Sequence, residues 1–325
     1  MLKQEIEDGQ ASLADPAFRA DVLNGLALRP RAIPARWFYD RRGSELFEEI
    51  TQLPEYYPTR TETALLERRA GDIAALVGEG EAVVEFGSGS SAKTPILLRA
   101  VAPAAYVPID ISGDFLRESA EGLGAEFPSL AVFPVEADFM RPLALPEQIA
   151  GLPRLGFFPG STIGNLVART AVDLLRAMKE TLGDGARLLI GMDRIKPVEV
   201  LLAAYDDPGG VTARFNLNLL NRINAELDGD APVDAFRHRA IWNDEMSRIE
   251  MHLEATRDLA FAVSGRPFSF AKGATIHTEN SHKYGHRDSR LMLRAAGWGV
   301  VAEWTDEREW FSILLAEAEL PRFAP

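Results

Sequence analysis

The run Val83-Val84-Glu85-Phe86-Gly87-Ser88-Gly89-Ser90-Ser91-Ala92-Lys93-Thr94 reads as an apolar strand, a glycine turn and the start of a helix. Gly87 permits a tight turn, and Gly89 lets a ligand approach the backbone closely. Asp110 closes the next apolar run, where a carboxylate can accept both hydroxyls of an adenosine ribose. Ala137-Asp138-Phe139 follows a third run; an Asp there can accept from an adenine amino group, and a ring can pack on the base. The loop also fits G-x-G-x-x-A, so the glycines alone do not separate a nicotinamide dinucleotide from S-adenosylmethionine. Charge separates them better. A pyrophosphate on the loop disfavours a neighbouring carboxylate, whereas Glu85 is compatible with a sulfonium and an ammonium. Taken singly, the glycine turn can be purely structural, and Asp110 can be a helix cap.

A second loop, Phe157-Phe158-Pro159-Gly160-Ser161-Thr162-Ile163-Gly164-Asn165-Leu166, follows a fourth apolar run. Its small residues leave room for a ligand, and Asn165 offers amide donors suited to a carboxylate or, equally, a cap for the next helix. Cysteine is absent, which excludes disulfides, thiolate catalysis and Cys-ligated metals. The five histidines, His238, His252, His277, His282 and His286, form no HExxH motif. His277, His282 and His286 lie close enough in sequence for a shared ion, but scattered histidines are usually hydrogen-bonding or surface residues. No metal is assigned.

These loops need a frame that aligns them. Helical spacing over Thr61–Val77, Lys93–Val101, Phe115–Gly122 and Ala171–Leu182 alternates with apolar runs at Ala82–Phe86, Tyr106–Asp110, Ala131–Val135, Leu155–Phe158 and Arg187–Met192. Such alternation predicts right-handed βαβ units and a parallel sheet covered on both faces. Before it, Asp15-Pro16 can start a helix, and Ser44 caps an amphipathic stretch through Ile50 that Pro54 ends. After Lys196-Pro197 the pattern changes. Val198–Tyr205 and Val211–Leu227 read as helices, and Arg248–Ala255 alternates as a half-buried strand. Leu259–Val263 and Pro267–Phe270 add strands; a helix over 288–297 and strands Gly299–Trp304 and Trp310–Ala316 end the chain. The prediction is an α/β chain with a Rossmann-like core over 61–196 rejoined by 285–325. The pieces 1–60 and 197–284 form a second domain.

The composition is that of a globular protein, with 46% apolar and 26% charged residues, where disorder needs fewer apolar residues. A formal net charge of -13 argues against nucleic acid as partner, since phosphate binding needs a basic face. The opening MLKQEIEDGQ has no apolar run of a signal peptide, and no segment reaches the roughly 18 apolar residues of a membrane span. These readings place the chain in the cytoplasm, away from membranes.

Several longer motifs now resemble one family. They are Ile33-Pro34-Ala35-Arg36-Trp37-Phe38-Tyr39-Asp40, Leu53-Pro54-Glu55-Tyr56-Tyr57-Pro58-Thr59-Arg60-Thr61-Glu62, the glycine loop, and Gly160-Ser161-Thr162-Ile163-Gly164-Asn165-Leu166. Ala204-Tyr205-Asp206-Asp207, Arg248-Ile249-Glu250-Met251 and Thr278-Glu279-Asn280-Ser281 continue the likeness nearly end to end. Together they resemble the histidine Nα-trimethyltransferases of ergothioneine biosynthesis, which make hercynine. The resemblance implies a class I methyltransferase sheet with a family-specific substrate-binding domain. It implies that Tyr56, Gly87, Lys93, Asp110, Asp138 and Phe139 contact S-adenosylmethionine. It implies that Asn165 and Tyr205 hold the histidine carboxylate and that Gly160 lies near the amine. Tyr39, Glu279 and Ser281 would surround the imidazole, with Met251 beside it, and a monomer is expected.

The residue chemistry agrees with those roles. Glu279 can accept an imidazole N–H, and Ser281 can donate to or accept from the other nitrogen. Tyr39 or water is the expected proton acceptor for the amine, and His282 is a further option because imidazole titrates near neutral pH. Asn280 and His282 flank the ring-reading pair at positions where some relatives carry apolar and small residues. Read without the resemblance, Tyr39 and Tyr56 are core anchors, Met251 packs a strand face, and Glu279 is a solvated loop charge. Other readings are an Nα-methyltransferase for another amino acid or amine, a nicotinamide oxidoreductase, and a binding protein without turnover.

Overall fold

The computed structural model describes residues 15–89, 93–111 and 113–319. The opening residues read for a signal peptide and Ser90–Ala92 of the glycine loop lie outside them. The chain divides into two compact units, one of Met1–Ile50, Tyr205–Ile241 and Glu250–Glu279, the other of Thr51–Ala204, Trp242–Ile249 and Asn280–Pro325. The sequence placed the corresponding borders at 60/61, 196/197 and 284/285. The first of these falls within a helix, because Tyr57–Val77 begins a turn earlier than its apolar spacing suggests, with Pro58 in its first turn.

The second unit is built on one sheet. Its strands run in the order Trp298–Thr305, Phe311–Ala318, Arg187–Asp193, Arg154–Phe158, Ala82–Phe86, Ala105–Asp110 and Ala131–Val132. Ala82–Phe86 is parallel to both neighbours, and all five of its residues are buried, as a strand covered on both faces requires. Val84 and Phe86 enter one apolar cluster, and Val83 enters another with Leu65, Leu66 and Ile73 of helix Tyr57–Val77. The last strand, Phe311–Ala318, is antiparallel to both of its neighbours. A doubly wound order with one reversed strand, Phe311–Ala318, is the class I methyltransferase sheet that the resemblance implies. The order reverses between Ala82–Phe86 and Arg154–Phe158, so the loops after those two strands share the crevice where such sheets bind ligands.

Ala131–Val135 is not one strand. It is two short pieces, Ala131–Val132 and Val135–Glu136, because Pro134 has no N–H to give the ladder.

The first unit holds a sheet in the order Arg31–Ala32, Thr275–His282, Arg248–Ala255, Phe236–Asn243, beside a hairpin of Leu259–Val263 and Arg266–Phe270. Helix Pro16–Ala27 starts as expected, its Asp15 carboxylate accepting from the Ala17 N–H at 2.7 Å. Helix Arg41–Thr51 starts earlier than Ser44. Asp40 accepts from the Gly43 N–H at 2.6 Å, and so takes the capping role read for Ser44. Among the described residues no helix is long and apolar enough to cross a membrane.

Candidate active site

In the second unit the glycine turn hangs on strand Ala105–Asp110. The N–H groups of Gly87 and Ser88 donate to the Ile109 carbonyl at 2.8 and 3.2 Å, and that of Gly89 to the Asp110 carboxylate at 3.2 Å. Gly87 has φ +73°, which a side chain rarely tolerates, and a Cβ there would touch the Phe139 ring at 3.4 Å. Phe139 stands edge-on to Phe86 and Phe158, at 6.2 and 6.0 Å between centroids. Asp138 is exposed and accepts from the Met140 N–H at 3.0 Å. The turn, Asp110 and Phe139 thus form one constellation. Among the described residues, a Cβ on Gly89 would meet nothing within 4 Å. That open backbone, the apolar ring beside it and the carboxylate behind it fit an adenosine-bearing cofactor.

Glu85 does not face that opening. It is 1% exposed and accepts from Thr94 Oγ1 at 2.7 Å and Tyr106 Oη at 2.5 Å, so the role read for it beside a cofactor cation is corrected to an internal one. Burial pushes its carboxyl up to about 7 against the pull of those two bonds. The folded protein therefore binds a proton there between about pH 4.5 and 7 that the unfolded chain releases, and stability falls as pH rises through that window. Glu85→Gln is expected to remove this loss, on the order of 3 kcal/mol. Urea denaturation at pH 5 and pH 8 checks it; the same pH dependence in both proteins would rule it out.

Lys93 and Gly160 meet through a residue not singled out for any role, Glu62. This carboxylate is 1% exposed, pairs with Lys93, and accepts the Gly160 N–H at 3.0 and 2.9 Å on its two oxygens. A buried carboxylate needs such partners. Glu62 ties both loops of the crevice to helix Tyr57–Val77, whose N-cap residue is the buried Tyr56.

Asn165 does not cap the following helix. That helix is Ala168–Leu182 with Val167 at its N-cap, and Asn165 ends a one-turn 3-10 helix, half-buried. The preceding Gly164 lies so close to strand Thr275–His282 that a Cβ would come within 3.0 Å of the His282 carbonyl. His282 is buried and its Nδ1 bonds the Gly164 carbonyl at 2.8 Å, which sets that nitrogen as the protonated one. His282 anchors the Asn165 turn.

Below that strand end lies a buried ionic cluster. Asp193 is shared by Lys196 at 2.6 Å and Lys283 at 2.7 Å, and accepts from Tyr57 Oη at 2.6 Å. Lys283 also donates to Ser281 Oγ at 2.7 Å. Burial alone would raise the Asp193 carboxyl, but Lys283 and Lys196 outweigh it and hold it below the usual range. Burial lowers Lys196 to about 8 against the pull of Asp193.

In the other unit Tyr39 is 36% exposed, its ring edge-on to Phe47 and Phe215 at 5.7 and 5.9 Å. Tyr205 and Met251 are buried and joined by a polar chain. The Tyr205 carbonyl bonds His238 Nε2 at 2.8 Å, and His238 Nδ1 bonds Asn216 Nδ2 at 2.8 Å. Asn216 Oδ1 accepts from Thr278 Oγ1 at 2.8 Å, which lies 3.0 Å from the Met251 carbonyl. His238 therefore has its proton on Nε2. His238→Leu removes the link between the Tyr205 carbonyl and Asn216, which keeps the His252 carbonyl at 3.1 Å and Thr278, at a cost of about 1–3 kcal/mol; chemical denaturation reads it, and an unchanged midpoint would remove the chain from the stability account. Asp207 accepts from Val211 and Thr212 N–H groups at 2.9 and 2.7 Å and starts the helix that carries Asn216.

Glu279 is not in a loop. It lies on strand Thr275–His282, two residues before Ser281 and thus on the same side of the strand. The unbroken polar run from His277 to His282 gives this strand no apolar alternation. The histidines group differently from their spacing. His286 bonds Glu303 at 2.6 Å, while His252 and His277 stack at 4.8 Å. His252 bonds Glu250 at 3.1 Å, and ligand-type atoms of Glu250, His252 and His277 lie within 4.8 Å of one another.

The comparisons with known proteins bear on the whole chain. Residues 18–318 match the family described as histidine-specific methyltransferase, SAM-dependent. The chain belongs to this family. It is 40% identical to the histidine N-alpha-methyltransferase of Mycolicibacterium smegmatis over 94% of this chain and 96% of that one. The counterpart from Mycobacterium tuberculosis is also 40% identical, over 92% and 94%. Ergothioneine biosynthesis protein 1 of Neurospora crassa is 30% identical over 90% of this chain and 34% of its own length.

Proposed function

We propose that this methyltransferase transfers three methyl groups from S-adenosylmethionine to the α-nitrogen of histidine, giving hercynine for ergothioneine synthesis. We assign it to the cytoplasm, as a monomer. The observation that carries the substrate reading is the placement of Glu279 and Ser281 at i and i+2 of one strand. Such residues stand about 6.6 Å apart on one side. Two partners hydrogen-bonded to opposite nitrogens of a five-membered ring need roughly 7 Å between them.

In this reading residues 61–196 with 285–325 are the cofactor-binding core, and residues 1–60 with 197–284 are the substrate-binding domain. Gly87, Asp110, Asp138 and Phe139 hold the adenosine part, and Lys93 and Tyr56 complete that site. Bound S-adenosylmethionine supplies an electrophilic methyl group. Asn165 and Tyr205 hold the histidine carboxylate, which aims the amine toward Gly160. Glu279 and Ser281 read the ring, with Met251 and Tyr39 packed against it. Holding both reactants aligned provides several kcal/mol toward an in-line displacement. The amine must be the free base at each transfer, and Tyr39 or water is the proton acceptor. Tyrosine faces also favour the quaternary ammonium as its charge grows.

Mass spectrometry of the protein incubated with S-adenosylmethionine and each standard amino acid separately tests this. The expected product is histidine with three methyl groups on its α-nitrogen. Methylation of a different amino acid would overturn the ring pocket and keep the cofactor assignment. A second expectation concerns the cofactor alone. S-adenosylhomocysteine at about 100 times its Kd stabilises by about 2.7 kcal/mol, and raises Tm by roughly 5–10 °C. NAD leaves Tm unchanged; a shift with NAD would return the oxidoreductase reading.

A further inference from the structure

We propose that Glu62 sets the charge of the cofactor crevice: by neutralising Lys93 it lets the crevice accept a sulfonium, the part first read for Glu85. The inference rests on the placement of Lys93 beside S-adenosylmethionine given above. Glu62 is a positioning residue and acts through Lys93.

Two features make the start of the helix after the glycine loop positive. Lys93 is the N-cap residue of helix Thr94–Val101, where the helix dipole already presents its positive end. Its side chain is only 13% exposed, so salt and water screen it weakly. A helix start of this kind suits an anion, whereas S-adenosylmethionine brings a cation at its reacting sulfur. A counter-charge is needed for the two to coexist. Glu85 is turned inward onto Thr94 and Tyr106. Burial, which pushes its carboxyl up to about 7, also keeps it partly neutral.

Glu62 brings the counter-charge from a different element, helix Tyr57–Val77. Its buried carboxylate pairs with Lys93 and holds the Gly160 N–H on both oxygens. Gly160 is itself close to Lys93: a Cβ on it would stand 3.6 Å from Lys93 Nζ. The sheet makes room for the carboxylate, since a Cβ on Gly191 of strand Arg187–Asp193 would lie 2.1 Å from Glu62 Oε1. The negative charge is thus fixed where the two loops of the crevice meet, and the Glu62–Lys93 pair is neutral as a whole.

S-adenosylmethionine and S-adenosylhomocysteine separate this role from a merely structural one. They share the adenosine, the ammonium and the carboxylate, and differ by one methyl group and one positive charge. A distorted crevice weakens both alike. A crevice that has lost its counter-charge weakens the sulfonium alone.

The test is calorimetric titration of each ligand into the full-length protein at about pH 7, without histidine, so that no transfer occurs. The quantity read is the Kd for S-adenosylmethionine divided by that for S-adenosylhomocysteine. Glu62→Gln is expected to raise this ratio about tenfold, the order that one unneutralised charge supplies across a protein-lined crevice. Glu62→Asp keeps the charge and holds the ratio within twofold of the parent, even where the shorter side chain weakens both ligands. Lys93→Met leaves the carboxylate without its cation and lowers the ratio at least threefold; it carries the test if Glu62→Gln does not fold. Parallel losses, with the ratio within twofold of the parent in Glu62→Gln or Lys93→Met, overturn the proposal and leave the cofactor assignment standing. A ratio in Glu62→Asp as high as in Glu62→Gln also overturns it. Unchanged Kd values for both ligands in Lys93→Met would bring down the placement of Lys93 and this inference together.

Discussion

Asp193→Asn is expected to lower stability by about 3–5 kcal/mol at pH 7, the cost of removing one partner from a buried ionic group. The asparagine has nearly the same shape, so the loss is electrostatic. Lys196 and Lys283 would face each other, each at most 1% exposed, without the charge that holds them. The Tyr57 hydroxyl would also lose its carboxylate acceptor. At roughly 2–4 °C per kcal/mol, Tm falls by about 6–20 °C. The deficit shrinks toward pH 10, because burial already lowers Lys196 to about 8 and a neutral amine needs no counter-charge. Adding Lys196→Met should recover part of the loss, since residues sharing one network are not additive. Urea denaturation of the single and double variants reads all three expectations. A single variant within 1 kcal/mol of the parent would mean that the two ammoniums are neutral in the folded protein.

Glu279→Ala is expected to lower kcat/KM for histidine by about 10–100-fold, the kinetic equivalent of about 1.5–3 kcal/mol for a charge-assisted hydrogen bond. It leaves a ring N–H without its acceptor and opens space on one side of the ring. Affinity for S-adenosylhomocysteine should stay within twofold. Discrimination against amino acids with apolar rings should weaken in parallel, because a site that hydrogen-bonds its substrate rejects isosteres by leaving buried groups unpaired. Steady-state kinetics with histidine and phenylalanine, alongside calorimetry with S-adenosylhomocysteine, measure these effects. Undiminished histidine turnover would show that Glu279 does not read the ring.

Much of this architecture was legible because apolar alternation and glycine punctuation are local signals. Strand Ala82–Phe86 and strand Arg248–Ala255 fall where the patterns put them. Asp110 and Phe139 could be attached to the glycine turn because each follows an apolar run that becomes a strand or its end. Residues whose importance lies in a long-range partner were not legible. Glu62 is an ordinary charge on a helix until Lys93 and Gly160 meet it. Asp193, Lys196 and Lys283 carry no spacing that announces a shared cluster. Glu85 misled for the opposite reason: its place before the turn suggested a ligand, whereas strand alternation turns it inward to Thr94 and Tyr106. The polar strand Thr275–His282 was missed because Glu279, Asn280 and Ser281 lack the apolar rhythm on which strand recognition depends.

The strand order also governs how this protein can be synthesised. Phe311–Ala318 is the last strand among the described residues, yet it lies between Arg187–Asp193 and Trp298–Thr305, with every residue but Glu317 buried. Until a ribosome has released this stretch, Arg187–Asp193 has an unpaired edge and the sheet cannot close. A nascent chain stalled before residue 311 would expose an apolar ladder ready to pair with another copy. Folding of the cofactor core is thus tied to synthesis of residues 311–318, and a chain cut before residue 311 would lack an interior strand of the sheet.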